Sequence, residues 1–153
     1  MTTSHLLYYF KGKEDILAQY FENISVRFLE RIETFSDHST TEQIDLLADF
    51  WFKSGANTRQ EIGFMLECFG AAVNDKMLKM TKAHFDARCK TYLTDLFEEA
   101  GGCLFTDNSR DAAELAYSIM IGLRSAVYFD NNISLDHAHR LFRQAMFNSL
   151  RQL

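Results

Sequence analysis

Not one of the 153 residues is a proline, and only seven are glycines. A many-stranded sandwich or barrel needs turn chemistry at short intervals, so this scarcity disfavours it and leaves helices as the natural class. The length suits one domain able to bury roughly 70% of its unfolded surface. A 47% hydrophobic and 14% aromatic share is too high for a disordered chain.

Helical periodicity runs almost end to end. From Lys13, residues Ile16, Leu17, Tyr20, Phe21, Ile24, Phe28, Ile32 and Phe35 form an apolar stripe at three- and four-residue steps. Ser39 and Glu42 have capping-box spacing ahead of a helix with Ile44, Leu47, Phe50 and Trp51, expected to stop near Gly55. Thr58 and Glu61 repeat that spacing before Ile62, Met65, Leu66, Phe69 and Val73. Asn74 and Asp75 suit the start of a long helix, with Met77, Leu78, Thr81, Phe85, Cys89, Tyr92, Leu93, Leu96 and Phe97 on its inner side and Gly101–Gly102 ending it. Two further helices follow, 109–129 and, after Ser134, one reaching Leu150. The first carries Leu115, Ile119, Met120, Ile121, Leu123, Val127 and Tyr128 on more than one face. Its second side faces either a partner subunit or the long middle helix.

Sixteen Lys and Arg against 21 Asp and Glu give a net charge of −5, the wrong sign for a protein that works by coating nucleic acid. No apolar run approaches the roughly 18 residues that span a bilayer, and the N-terminus lacks signal-peptide organisation. Cys68, Cys89 and Cys103 lack metal or redox spacing and read as reduced thiols of a cytoplasmic protein. His137 and His139 point to different faces of a helix and cannot easily share a metal. There is no Gly-x-Ser-x-Gly elbow, phosphate-binding Gly loop or Cys-x-x-Cys pair. The expectation is therefore a non-enzyme without cofactor or metal.

The most specific stretch is Thr2-Thr3-Ser4-His5-Leu6-Leu7-Tyr8-Tyr9-Phe10-Lys11-Gly12-Lys13-Glu14-Asp15-Ile16-Leu17. It resembles the end of the DNA-binding domain of TetR-family transcriptional regulators. There, a recognition helix leads into an aromatic-Phe-x-x-Lys-acid-x-x-Leu pattern, matched here by Tyr9, Phe10, Lys13, Glu14 and Leu17. Residues 1–13 contain Lys11 and Lys13 and no acid, a positive patch on an acidic chain. The resemblance implies a DNA-binding set of Thr3, Ser4, His5, Tyr8, Tyr9 and Lys13. Thr3, Ser4 and His5 would face base edges and Lys13 a phosphate beside the helix N-terminus. The same residues also fit an ordinary N-terminus in which Leu6, Leu7 and Phe10 pack and the lysines are solvated. Leu66-Glu67, Ala71 or Ala72, Asp75 and Leu78 are similar to the family's seventh helix and the step into its eighth. Ile121-Gly122-Leu123-Arg124 and the 134–150 helix look like its dimerisation helices. The chain departs from the pattern at Leu7, where many members carry Tyr, and at Ile121, where many carry an acid.

The resemblance implies an all-α, TetR-type C-terminal helical domain of orthogonal helices with a two-helix dimerisation element. Residues 1–12 would be a remnant of the helix-turn-helix domain, and 13–153 the effector-binding and dimerisation domain. Two helices' worth of reading head is missing ahead of Tyr8, so these 153 residues are expected to bind operator DNA weakly or not at all. The homodimer would form through 109–129 and 134–151. Phe50, Trp51, Phe64, Met65, Cys68, Phe85, Tyr92 and Met120 are the candidates for a pocket taking a small aromatic or amphipathic effector. Aromatic residues at helical spacing equally make plain core. The expected function is thus a ligand-responsive regulator, a repressor in the simplest case. The alternative is a helical ligand-binding or interaction module without DNA activity.

Overall fold

Ser39 and Glu42 form the reciprocal capping box that their spacing predicts. The Glu42 N–H donates to Ser39 Oγ at 3.4 Å, and the Ser39 N–H donates to Glu42 Oε2 at 3.0 Å. Asp75 Oδ1 accepts from the Leu78 N–H at 2.7 Å, and Ser134 Oγ from the His137 N–H at 3.1 Å. Each satisfies an otherwise unpaired donor at a helix start. In a computed structural model describing residues 12–53, 55–101 and 106–151, these caps open three of the helices. The described elements, all helical, are α1 (Lys13–Glu33), α2 (Thr40–Phe52), α3 (Thr58–Ala72), α4 (Lys76–Gly101), α5 (Thr106–Phe129) and α6 (Leu135–Leu150).

The Thr58–Glu61 spacing plays a different part from the one expected. Asn57, not Thr58, holds the cap position, and no side chain caps α3. The buried Thr58 hydroxyl donates to the Gly55 carbonyl at 2.6 Å and accepts from the Gly55 N–H at 3.1 Å, closing the turn between α2 and α3. A hydroxyl committed to that turn is not free to cap a helix.

α4 is the spine: 26 residues, about 39 Å long, touching each of the other five helices and α5 most extensively. It buries Leu78, Phe85, Cys89, Leu93, Leu96 and Phe97. Met77, expected on this inner side, is 70% exposed, because it lies one residue, hence about 100°, from Leu78. α1 buries Leu17, Phe21 and Phe28. The Phe28 ring sits among Phe50, Trp51, Phe85 and Tyr92, with centroids 5.4–6.1 Å away, so α1, α2 and α4 meet in one aromatic cluster. α6 lies on α2 and α5. Arg143 pairs with Asp45 at 2.5 Å and His139 with Asp49 at 2.7 Å, two rungs one turn apart on both helices.

α5 buries Ala113, Ala116, Tyr117, Met120, Arg124 and Val127 on one stripe. Ile119, Ile121 and Leu123 pack at the margin of the core, while Leu115 and Tyr128 are exposed. Intrachain packing therefore covers one face of α5 and leaves Leu115, Ser118 and Gly122 open. Among the described residues, no helix is long and apolar enough to cross a membrane.

Candidate functional site

The buried stripe of α5 contains one residue that does not belong in a core. Arg124, four residues after Met120 and three before Val127, is only 4% exposed. One donor, Nη1, reaches the carbonyl oxygen of Trp51 in the last turn of α2, where no intrahelical partner remains for it. The guanidinium also lies over the Trp51 ring, 5.2 Å from its centroid. Its Nε is buried with no hydrogen-bond partner, and no carboxylate of the described residues ion-pairs with Arg124. Burial pushes the guanidinium down to about 10, against the smaller opposing influence of Tyr20, Glu61 and Tyr117. It remains a cation at neutral pH.

The surrounding shell is polar on one side and aromatic on the other. Arg124 shares a cavity of about 20 Å³ with Ile24 and Arg27 of α1, Phe50 and Trp51 of α2, and Glu61 of α3. Glu61 and Arg27 face each other loosely at 3.8 Å, both partly solvated. The Tyr20 hydroxyl donates to the Glu61 carbonyl at 3.0 Å, and the Tyr20 ring meets Phe64 edge-on at 4.5 Å. Burial, aided by the nearby Glu61 charge, raises the Tyr20 phenol to about 12, so it stays a neutral donor.

Trp51 is also a wall of a second cavity. That space, about 10 Å³, is lined by Phe28, Leu47, Trp51, Cys89, Leu93, Tyr117, Met120 and Phe142. The Tyr117 hydroxyl donates to Asp86. Each space is about the size of one water molecule. On the outer side, Arg27 and Phe50 also border an open groove of about 510 Å³ with Glu30, Arg31, Phe35, Leu46, Asp49 and Lys53. The open groove and the Arg124 cavity thus have Arg27 and Phe50 in common, and the Arg124 cavity and the apolar one have Trp51 in common.

Of the residues expected to line a pocket, Phe50, Trp51 and Met120 border these spaces. Phe64, Met65, Cys68, Phe85 and Tyr92 line neither of the two small cavities. Met65 and Cys68 are buried, and the Cys68 thiol faces the Leu17 carbonyl at 3.9 Å, pushed up to about 12 chiefly by burial. Phe85 packs on Phe21, Phe28 and Trp51. The Tyr92 hydroxyl donates to Gln43 Oε1 at 2.9 Å. Arg124, Arg27 and Glu61 are absent from the sequence-based set. The available signal is a single Arg on the apolar stripe 113-116-117-120-124-127 of α5.

Of the residues expected at DNA, Thr3, Ser4, His5, Tyr8 and Tyr9 lie outside the described residues. Lys13 is the first residue of α1; its exposed amine pairs with Glu67 of α3 at 3.0 Å. An exposed pair of this kind contributes under about 1 kcal/mol and gives way readily to a better anion. His139 is engaged with Asp49, and among the described residues no three His, Cys, Asp or Glu side chains converge to hold a metal. No protein-family model, curated protein or solved structure matches the chain.

Proposed function

We propose that this chain is the effector-binding and dimerisation part of a TetR-type, ligand-responsive transcriptional regulator, acting as a homodimer and most simply as a repressor. One observation carries the reading: α1 joins the two places that such a regulator must couple. Its N-terminal end carries Lys13, Glu14 and Leu17 of the Tyr9-Phe10-x-x-Lys13-Glu14-x-x-Leu17 pattern, and Lys13 opens the helix. Farther along, the same rod places Ile24 and Arg27 in the wall of the Arg124 cavity and Phe28 in the apolar one. A ligand that wedges the cavity open has to push on α1, and α1 leads to the DNA-proximal segment. For that push to shift an operator equilibrium, the ligand must favour one α1 position over the other.

The test is a chimera in which the first helices of a helix-turn-helix head with a known operator precede Met1. In a gel shift at low salt it is expected to bind that operator as a dimer, far more tightly than the isolated head does. A chimera no better than the isolated head would sink the regulator reading and leave a ligand-binding module without DNA activity.

A further inference from the structure

We infer that the ligand of this domain is a small amphipathic monocarboxylate, its carboxylate held by Arg124 and its apolar tail lodged past Trp51 among Phe28, Leu47, Leu93, Met120 and Phe142. This deepens the proposed function, resting on its ligand-binding half alone.

Arg124 is a desolvated cation with one protein hydrogen bond, to a main-chain carbonyl, and a buried Nε without a partner. A guanidinium presents its donors as a planar fork, and a carboxylate is the partner that takes two of them in parallel. Among the described residues, the only acid bordering the same cavity is Glu61, which pairs loosely with Arg27 and is partly solvated rather than ion-paired with Arg124. The cavity wall thus carries two cations and one anion, leaving a net vacancy for one negative charge. The outer groove repeats that balance with Arg27, Arg31 and Lys53 against Glu30 and Asp49, a mildly attractive approach for an anion.

The tail follows from what stands behind the head-group position. Trp51 lines both the guanidinium cavity and the inner cavity. Apart from the Cys89 thiol, the Trp51 indole N–H and the Tyr117 hydroxyl, which donates to Asp86, the side chains lining the inner cavity are hydrocarbon and aromatic carbon. A ligand that displaces the Trp51 side chain would occupy both spaces, its charged end at Arg124 and its apolar end inside. A dicarboxylate would bury a second charge among Phe28, Leu93 and Phe142, and an amine would meet Arg124 as a like charge. A neutral hydrocarbon would leave the guanidinium as unsatisfied as it is now.

The test uses the unmodified 153-residue chain, with the fluorescence of Trp51, its only tryptophan, as the readout and calorimetry as a check. The probes are phenylacetate and octanoate, each compared with its own primary amide, which has the same shape but no charge. At least one acid is expected to bind about tenfold or more tighter than its amide, the advantage of a charge-assisted bond in a dry site. In Arg124→Gln, which keeps a donor for the Trp51 carbonyl, that advantage should fall to within about twofold while the amide's affinity changes little. Acids and amides binding alike, or neither binding, would overturn the inference without reference to variant folding. An acid preference that survives intact in a folded Arg124→Gln would overturn the assignment of the head group. Because no DNA is involved, a chain that prefers carboxylates while its chimera ignores the operator loses only the regulator reading. A chimera that binds the operator while the chain ignores carboxylates loses only this inference.

Discussion

At Arg124 four energies compete. Removing a guanidinium from water costs several kcal/mol even after local relaxation, and an unpaired Nε adds about 1–3 kcal/mol. Against these stand one charged hydrogen bond to the Trp51 carbonyl, about 1.5–3 kcal/mol, and a desolvated cation–π contact of about 2 kcal/mol. The cost wins at neutral pH. The lowered pKa has the same sign: below about 10 the whole penalty is present, and it is relieved only as pH climbs from there toward the higher value of an ordinary, solvated guanidinium. Methionine would fill much of the side chain's stem volume and carry no charge. Arg124→Met relieves that penalty but leaves the Trp51 carbonyl without its donor, so it is expected to change the unfolding free energy by no more than about 1 kcal/mol in urea titrations without ligand. A loss of about 3 kcal/mol, the consequence of breaking a well-partnered buried charge, would mark Arg124 as a structural residue instead. The sequence hid this group because a lone Arg on a helix is ordinarily solvated. Only the placement of Arg124 against Trp51, in a cavity that α1 and α3 also line, shows that position 124 is inside. Trp51, Phe50 and Met120 were legible because each sits on an apolar stripe at helical spacing, although the same pattern also includes the exposed Met77 and Leu115.

Among the elements, α3 and α5 meet at a point set by one missing side chain. A Cβ on Gly63 would come within 2.8 Å of Cζ of the Tyr128 ring, so the two helices approach as they do because position 63 is glycine. Alanine there gains about 0.5–1 kcal/mol of helix propensity but must drive Tyr128, already 41% exposed, away from α3 and out of its edge contact with Phe129. Gly63→Ala is expected to destabilise the natural chain by about 1 kcal/mol and to stabilise the Tyr128→Ala variant by about 0.5–1 kcal/mol. The two measurements form half of a double-mutant cycle; the same sign in both backgrounds would refute the contact. Helix starts were readable wherever a cap is local, as at Ser39, Asp75 and Ser134. The spacing at Thr58 does not give a cap because its hydroxyl serves the turn to Gly55. Periodicity does not separate Met77 from Leu78, because the two are adjacent in a run where several registers give an apolar stripe.

For the whole molecule, the dimer of the proposed function would use the open face of α5. Leu115 is 54% exposed, and Ser118 and Gly122 lie on the same outward strip, with Ile119 at its edge. A Cβ on Gly122 meets nothing within 4 Å, so the monomer has room for a side chain there. If this strip pairs with a second copy, as the proposed function requires, sedimentation at micromolar concentration should give a dimer. Gly122→Glu should then give a monomer with unchanged helical circular dichroism, since a buried like-charge pair at the two-fold is costly. A natural chain that sediments as a monomer, or a Gly122→Glu variant that stays dimeric, would remove α5 from the interface. The mechanical consequence of α1 lies at this scale too. Its 21 residues form one unbroken helix, and Lys13 stands about 22 Å from Phe28 along the axis. Such a rod, pivoting at its Phe28 end by about 3°, carries Lys13 through about 1 Å. In a symmetric pair the displacement enters twice. The gear ratio from cavity to tip is set by the number of helical turns between them, so inserting or deleting a turn between Lys13 and Ile24 would retune the stroke without touching a single residue of the cavity.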